Sequence, residues 1–336
     1  MKIMIYALRE DERAIVARQL DNAPAGVDTT QAVLTLETAR ELQGYEAVCI
    51  TTPCKITGEV AEELGRRGVK YVLARSAGYD HIDLAALAAQ GIRAANVPVY
   101  SISAVPEFTV LLVLSLLRGL RSCVEKTARR DFTLGGVPGI ELSTQTVGVI
   151  GTGQIGRETI RLLAGFGCRL LAFSPTQYEE VKGAARYCSL QELYGQSDII
   201  LYHCPVNADT RHMVDDAAIM QMKRGVMLVN TSRGELFDFP AILRGLMNGR
   251  VGALATDVYE GEVRFFRQDH AGRPLEDPVL EALLSLPQVL LTPHMAFFTR
   301  QSVENLMAKS MKNLRDFLET GACPHELFAG KKENRG

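Results

Sequence analysis

The sequence lacks three features that would place it in common classes of protein. Its seven cysteines are odd in number and include no C-x-x-C pair, which argues against a disulfide or zinc framework and favours a reducing compartment. No apolar run approaches the ~20 residues that a bilayer requires. The net charge of −2 gives no electrostatic reason to expect nucleic acid or an anionic membrane as a partner. These absences predict a cytoplasmic globular protein.

What the chain contains is a repeated alternation of apolar runs and helical patterns. At 336 residues it is long enough for two domains. The first hundred residues predict short buried strands at KIMIY, AVCI, KYVLA and IRAAN, and a second series follows at TVGVIG, RLLAFS, DIILYHC, VMLVN, GALATDV and VLLTPH. Helices are predicted between them, including a long helical region from about 102 to 129 and an amphipathic helix at QSVENLMAKSMKNLRDFLE. This alternation favours parallel α/β sheets.

A glycine-rich turn stands at the start of the second series. Gly151, Gly153 and Gly156 form a G-x-G-x-x-G motif that directly follows the strand TVGVI and opens a helix with Gln154 and Ile155. The first glycine permits a tight turn, the second lets a pyrophosphate approach the backbone, and the third lets helix and strand pack closely. The complete βαβ context predicts a dinucleotide-binding site.

An acidic residue is expected at the end of the next strand, where it binds the adenosine ribose. Ser174 occupies this position, and Lys182 is the nearest cation downstream. A carboxylate there would repel a 2′-phosphate, whereas a hydroxyl neither repels the phosphate nor binds the ribose as tightly. Two interpretations therefore stay open: the serine relaxes discrimination against NADP, or it only caps a turn while NADH binds through other contacts.

Polar residues follow three further predicted strands. Arg233 comes just after VMLVN, Asp257 ends GALATD with Glu262 five residues later, and His294 follows VLLTP. Ligands of open parallel sheets bind at the carboxyl ends of the strands, so these residues are candidates for one site. An arginine grips a carboxylate, a histidine gives a proton to an oxygen that gains charge, and a glutamate bound to the imidazole fixes its orientation. The set suits reduction of a 2-keto acid.

The motifs VGVIGTGQIG, NTSRGEL, DVYEGE and TPHMAFF, in this order, resemble those of the D-isomer-specific 2-hydroxyacid dehydrogenases. The stretches RSAGYDHID and NVPVYS are also similar to that family. Within it, EGE followed by FF and RQDHAGRPLEDP most resembles the D-lactate dehydrogenases, including the type found in vancomycin-resistance clusters. That type likewise has a serine after its second Rossmann strand.

The resemblance implies an architecture of two Rossmann-like, doubly wound parallel-sheet domains. Residues 1–100 and 297–336 would form a discontinuous substrate domain, and residues 101–296 would bind the nucleotide. The long helix after residue 101 would form the interface of a homodimer. The family's motifs place Arg233, Glu262 and His294 in catalysis. They place Ser174, Cys204, Pro205, Thr210, Thr231, Ser232, Arg233 and Asp257 beside the cofactor, with His203 near the adenine, and Ala77, Gly78, Tyr100, Arg233 and Phe297 beside the substrate.

The resemblance further implies NAD- or NADP-dependent reduction of a small 2-keto acid, pyruvate above all, to the D-2-hydroxy acid, with no metal. A dehydrogenase for a bulkier branched or aromatic keto acid is the first alternative, in which Tyr100 and Phe297 shape a larger pocket. A second alternative is a nucleotide-sensing corepressor, since some proteins of this superfamily resemble the enzymes. The complete arginine, glutamate and histidine set favours the enzyme.

Overall fold

The computed structural model describes residues 1–134 and 138–328. The chain divides into two compact units, the first made of Met1–Ser101 with residues 298–328 and the second of the described residues within Ile102–Phe297. The chain therefore leaves the first unit once and returns to it after the second unit is complete. No helix within the described ranges combines the length and apolarity that a bilayer crossing requires.

Strands alternate with helices along both units. In chain order the strands are β1 (Lys2–Ile5), β2 (Gly26–Thr29), β3 (Ala47–Ile50), β4 (Tyr71–Ala74), β5 (Arg93–Ala95), β6 (Thr146–Ile150), β7 (Arg169–Phe173), β8 (Arg186–Tyr187), β9 (Ile199–Tyr202), β10 (Val226–Asn230), β11 (Val251–Thr256), β12 (Val289–Leu291) and β13 (Glu326–Leu327). The α-helices are α1 (Glu10–Asp21), α2 (Leu36–Arg40), α3 (Gly58–Arg66), α4 (Leu84–Ala89), α5 (Ala104–Leu117), α6 (Leu120–Ala128), α7 (Gln154–Ala164), α8 (Glu179–Lys182), α9 (Leu190–Gln196), α10 (Asp216–Gln221), α11 (Phe239–Met247), α12 (Pro278–Ser285) and α13 (Arg300–Thr320). Short 3₁₀ turns lie at Leu142–Thr144, Gly234–Leu236 and Glu262–Arg264.

The first unit is built on a six-stranded sheet in the order β13-β5-β4-β3-β1-β2. All its pairings are parallel except that of β13 with β5. Because successive side chains of a strand point to opposite faces, β1 contributes Ile3 and Ile5 to one apolar cluster. That cluster includes Val303, Met307 and Leu314 of α13, so the returning helix covers one face of the sheet.

The second unit is built on a seven-stranded sheet in the order β12-β11-β10-β9-β6-β7-β8, with every pairing parallel. The strand order reverses direction at β6, which lies between β7 and β9. The carboxyl ends of all these strands meet at one edge, and ligands of such sheets bind at the point of reversal. The predicted pair of doubly wound parallel sheets is confirmed.

The structure differs from the sequence prediction at four places. The strands β2, β8 and β13 had not been predicted, and all three lie at sheet edges. The helical region predicted at 102–129 is two helices, because Gly119 adopts a left-handed conformation with φ of +56° between α5 and α6. Glycine reaches this conformation without steric cost, so the helix ends there and the chain changes direction.

Candidate active site

The turn between β6 and α7 carries the glycine-rich motif. Gly151 has a φ of +91°, and a Cβ there would lie 2.6 Å from the carbonyl oxygen of His203. A Cβ at Gly156 would lie 2.0 Å from the carbonyl oxygen of Gly151. Both clashes are with backbone atoms, which cannot rotate away as a side chain does. The turn therefore requires glycine at both positions.

The first turn of α7 is open toward this motif. Gly153 precedes the helix and supplies no side-chain cap, and Gln154 and Ile155 are the first helical residues. The first N–H groups of a helix have no intrahelical acceptors, and a phosphate satisfies them. The glycine turn and the uncapped helix start together fit a dinucleotide.

His203 lies beside the same turn, directly after β9. Its Nε2 atom is buried and has no hydrogen-bond partner within the described part of the chain. Burial lowers the pKa of His203 to about 4, so the ring is neutral at physiological pH. An unsatisfied neutral ring nitrogen next to the turn is a second feature that a bound nucleotide would complete.

Ser174 follows β7 directly, at the same sheet edge as the glycine turn. Lys182, the nearest cation downstream, is paired with Glu179 at 2.6 Å. Arg157 of α7 reaches the segment after Ser174 instead, and its guanidinium lies 4.1 Å from the ring centroid of Tyr178. Sequence spacing gave no pointer to Arg157, because this residue precedes the serine in the chain and approaches it only in the folded unit.

Two neighbouring loops carry most of the other residues predicted to line the cofactor. These residues are Cys204, Pro205, Thr210, Thr231 and Ser232. The hydroxyl of Ser232 donates to the carbonyl oxygen of Cys204 at 2.8 Å, and that of Thr210 donates to the carbonyl oxygen of Pro205 at 2.6 Å. The hydroxyls of Thr231 and Thr109 share a buried hydrogen bond of 2.9 Å. Burial raises the pKa of the Cys204 thiol to about 12, so this thiol stays protonated and does not act as a nucleophile.

Asp257 follows β11 and is only 1% exposed. Its carboxylate accepts hydrogen bonds from the Thr292 hydroxyl at 2.6 Å and from the backbone N–H groups of Met295 and Ala296 at 2.9 and 2.8 Å. Burial raises the pKa of Asp257, and the three donors oppose this shift. The described contacts of Asp257 therefore hold the segment on either side of His294, and its predicted place beside the cofactor stays a prediction.

Arg233 follows β10 and is half-buried. Its carbonyl oxygen accepts a hydrogen bond from the side chain of Asn230 at 2.8 Å, and its Nη1 donates to the carbonyl oxygen of Ser232 at 2.8 Å. A Cβ on the next residue, Gly234, would lie 2.2 Å from the carbonyl carbon of Tyr259. The loop that carries Arg233 therefore packs against the loop that leads to Glu262. Sequence spacing did not single out Gly234, since a lone glycine after S-R has no specific pattern.

Glu262 and His294 are joined by a hydrogen bond between Oε1 and Nδ1. The other carboxylate oxygen of Glu262 accepts the backbone N–H of Tyr259 at 2.9 Å, which fixes the glutamate. His294 has a φ of +54°, an uncommon value for a residue other than glycine. The side chain of His294 is 24% exposed and that of Glu262 is 21% exposed, so solvent or a small ligand reaches the pair. With Nδ1 engaged, Nε2 is the nitrogen left to exchange a proton.

Phe297 is the predicted substrate-flanking residue of the second unit. Its ring centroid lies 6.2 Å from that of His294, with an angle of 83° between the rings. The aromatic ring therefore borders the imidazole edge-on.

The other predicted substrate residues belong to the first unit. Ala77 and Gly78 follow β4, and their carbonyl oxygens accept hydrogen bonds from the Asn96 and Ser76 side chains at 2.6 and 2.7 Å. Their own N–H groups donate to no acceptor within the described ranges. Tyr100 is half-buried and follows β5, close to Ser101, where the first stretch of this unit ends.

A second histidine–carboxylate contact lies two residues before Glu262. Glu260 forms a 2.7 Å hydrogen bond with Nε2 of His212 and an ion pair with Arg211. These contacts attach the loop that carries Glu262 to the loop after β9. The sequence analysis did not identify this contact, and the E-G-E spacing was its only signal.

Comparisons with known proteins agree with this geometry. Residues 110–296 match the family model described as "D-isomer specific 2-hydroxyacid dehydrogenase, NAD binding domain". The D-lactate dehydrogenase of Escherichia coli is 35% identical over 97% of this chain and 100% of that protein. An aromatic 2-oxoacid reductase of Clostridium sporogenes is 36% identical over 97% of this chain and 99% of that protein. A solved structure, reported as the pyruvate reductase of Chlamydomonas reinhardtii, has a TM-score of 0.89 at 34% identity and covers 95% of this chain and 96% of that one. The chain therefore belongs to the family of D-isomer-specific 2-hydroxyacid dehydrogenases and is an oxidoreductase of that type.

Proposed function

We propose that the protein reduces pyruvate to D-lactate with a nicotinamide dinucleotide, and that His294 is the general acid. The observation that carries this proposal is the Glu262–His294 hydrogen bond at the carboxyl edge of the second unit's sheet, the edge that also carries the Arg233 loop. The relative from Escherichia coli, named D-lactate dehydrogenase, supports the choice of substrate.

The chemistry needs a proton at the oxygen that gains charge. The reduced cofactor, when bound, supplies hydride to the keto carbon. Nε2 of His294 gives its proton to the carbonyl oxygen, and the Glu262 carboxylate stabilises the imidazolium and holds its orientation. The keto acid thus gains one hydride and one proton, and the cofactor is left oxidised.

Arg233 is the substrate-binding cation of this proposal. Its planar guanidinium presents paired N–H donors that match a carboxylate and its neighbouring carbonyl oxygen. We assign the N–H groups of Ala77 and Gly78 to the substrate carboxylate as well, since these groups have no acceptor among the described residues. Tyr100 and Phe297 are assigned to the substrate's side chain. The first unit then serves as the substrate domain and the second as the nucleotide-binding domain.

The cofactor is assigned to the glycine turn and the start of α7. Gly151, Gly153 and Gly156 allow the pyrophosphate to approach the backbone, and the residues of the loops after β9 and β10 line the rest. Ser174 offers a hydroxyl where a carboxylate would repel a 2′-phosphate. We therefore propose that both NADH and NADPH are accepted.

A dehydrogenase for a bulkier keto acid is the second candidate, favoured by the 36% identity to a relative named aromatic 2-oxoacid reductase. Steady-state kcat/KM for pyruvate and phenylpyruvate, each with NADH and NADPH, distinguishes the two. A side chain that does not fit costs about 1–3 kcal/mol per methylene-sized mismatch. A higher value for phenylpyruvate would overturn the pyruvate assignment, and an L-configured product on chiral chromatography would overturn the stereochemistry. Tight cofactor binding without turnover of any 2-keto acid would contradict the enzyme and favour the corepressor.

A further inference from the structure

We propose that Arg157 binds the 2′-phosphate of NADPH in competition with Glu180, so that these two residues set how well the protein uses NADPH. The inference rests on the proposed function, because it concerns the cofactor of that same site. Two residues then take the place of the carboxylate that is missing at the end of β7. Arg157 of α7 binds the phosphate, and Glu180 pairs with Arg157 when no phosphate is bound.

Arg157 is placed next to the ribose position by two backbone contacts. It lies one residue after Gly156 in α7, and its Nη1 donates to the carbonyl oxygen of Thr152 at 3.3 Å. The hydroxyl of Thr152 in turn donates to the carbonyl oxygen of Thr176 at 3.2 Å. Since Thr176 is two residues beyond Ser174, the guanidinium lies alongside the segment that carries the ribose-binding position.

The orientation of the guanidinium is fixed by an aromatic ring. Arg157 stacks on Tyr178 at 4.1 Å, and the N–H of Tyr178 donates to the hydroxyl of Tyr187 at 3.1 Å. The Tyr187 hydroxyl donates to that of Thr152 at 2.9 Å, which closes the network. Stacking occupies the face of a guanidinium and leaves its edge, with the N–H donors, to bind an oxyanion.

The present partner of that edge is a weak competitor. Nε of Arg157 lies 2.5 Å from Oε1 of Glu180, whose side chain is 66% exposed. Ion pairs with so exposed a partner contribute little to stability. A phosphate carries up to twice the charge of a carboxylate and presents three acceptor oxygens. It therefore displaces Glu180, while repulsion from that carboxylate reduces the net gain.

Lys182 is the other cation near this segment, and its ammonium is paired with Glu179 of the same helix at 2.6 Å. Within the described residues, no contact directs it toward Thr152 or Thr176, as the contacts of Arg157 do. If Arg157 only holds the Tyr178 segment in place, its substitution should weaken the binding of nucleotides with and without the 2′-phosphate equally. If Arg157 binds the 2′-phosphate, its substitution should weaken the binding of the 2′-phosphorylated nucleotide more. Selectivity between two matched nucleotides is therefore the deciding quantity.

The experiment is isothermal calorimetry on the full chain with adenosine 2′,5′-bisphosphate and adenosine 5′-monophosphate, which differ only in the 2′-phosphate. Arg157→Gln should lower the affinity for the bisphosphate relative to the monophosphate by about 10- to 100-fold, the range for losing a hydrogen bond to a charged group. Glu180→Gln should raise the same ratio, and the double variant should show no such rise. Arg161→Gln, which removes a charge from the same helix at a residue paired with Glu158, should leave the ratio unchanged.

Three outcomes would overturn the inference. An unchanged ratio in Arg157→Gln would remove the phosphate contact, and an equal loss for both nucleotides would make Arg157 structural. Weaker monophosphate binding by Glu180→Gln would instead make Glu180 a ribose ligand. None of these measurements involves a keto acid, so failure of the inference is distinct from failure of the proposed reaction.

Discussion

Glu262 and His294 form a hydrogen-bonded pair although 32 residues separate them in the chain. The pair is held from both sides, because Tyr259 donates to the glutamate and Asp257 binds the backbone around the histidine. The φ of +54° at His294 is kept by these same contacts. Two predictions depend on this relationship directly.

His294→Ala should lose most of kcat for pyruvate reduction, by roughly 10²–10⁴-fold, because a positioned general acid contributes that much. His294→Asn is the companion variant, since asparagine tolerates the left-handed backbone at this position better than alanine does. Stopped-flow single-turnover rates would measure the chemical step. Cofactor affinity serves as the control for an intact site. Reduction by either variant at the parental rate would contradict the assignment.

Glu262→Gln should move the basic limb of the pH–rate profile for reduction to lower pH. A carboxylate stabilises the imidazolium beside it, whereas a neutral amide does not. The test is kcat/KM for pyruvate across the pH range at saturating cofactor. A profile that superposes on that of the parent would remove this role from Glu262.

Arg233→Lys and Arg233→Gln should both raise KM for pyruvate and lower kcat, the glutamine variant more strongly. Lysine keeps the charge but not the planar pair of donors that matches a carboxylate. Arg244→Gln is the matched control, because Arg244 is an exposed arginine of the same unit that is paired with Asp216. If Arg233→Gln kept the parental KM, the substrate carboxylate would have to be bound elsewhere.

Gly156→Ala should destabilise the second unit and weaken cofactor binding, since its Cβ would lie 2.0 Å from a backbone oxygen. Overpacking of this kind typically costs about 1–3 kcal/mol in the free energy of unfolding. Gly195→Ala is the control, because a Cβ there would have no neighbour within 4 Å among the described residues. Denaturant titration and calorimetry with the nucleotide would test both variants. Equal stability of the two would show that the β6–α7 turn relaxes freely.

A homodimer, as the family resemblance implies, should form through the helical region after residue 101, which is α5 and α6. No residue of α6 is buried in this chain. The apolar side chain of Val124 is 60% exposed, and that of Phe132, beyond the helix, is 77% exposed, so both are available to a second copy. Val124→Asp should therefore shift the parental dimer toward monomer in sedimentation equilibrium, because a charge would be buried in an apolar contact. Met220→Asp, at an equally exposed methionine of α10, should not. A parent that sediments as a monomer would contradict the prediction.

The central strands of both sheets were predictable because they are buried on both faces. All four residues of β3 in the first sheet and all four of β9 in the second are buried, which gives the uninterrupted apolar runs AVCI and IILY. The strand β2 has no fully buried residue, and β8 is only two residues long. Edge strands of this kind leave no apolar pattern, so their formation depends on pairing with a neighbour that is already in place.

The candidate site, like the two sheets, could be predicted from the sequence only in part. Arg233 and His294 each follow a strand of the second sheet, as the rule that ligands bind at the carboxyl ends of parallel strands requires. Their place in one site stays a prediction. The spacing of residues says nothing, however, about contacts between side chains on separate loops. The network of Arg157 with Tyr178 and Glu180, and the packing of Gly234 on Tyr259, arise only when distant segments are brought together.

The return of the chain to the first unit has a consequence for synthesis on the ribosome. One face of the first sheet is covered by α13, which is translated only after all of the second unit. The second unit can close its core while the first still presents Ile3, Ile5 and Leu73 to water. During translation the second unit should therefore complete its folding before the first. The sheet of the first unit should remain prone to aggregation until α13 emerges from the ribosome.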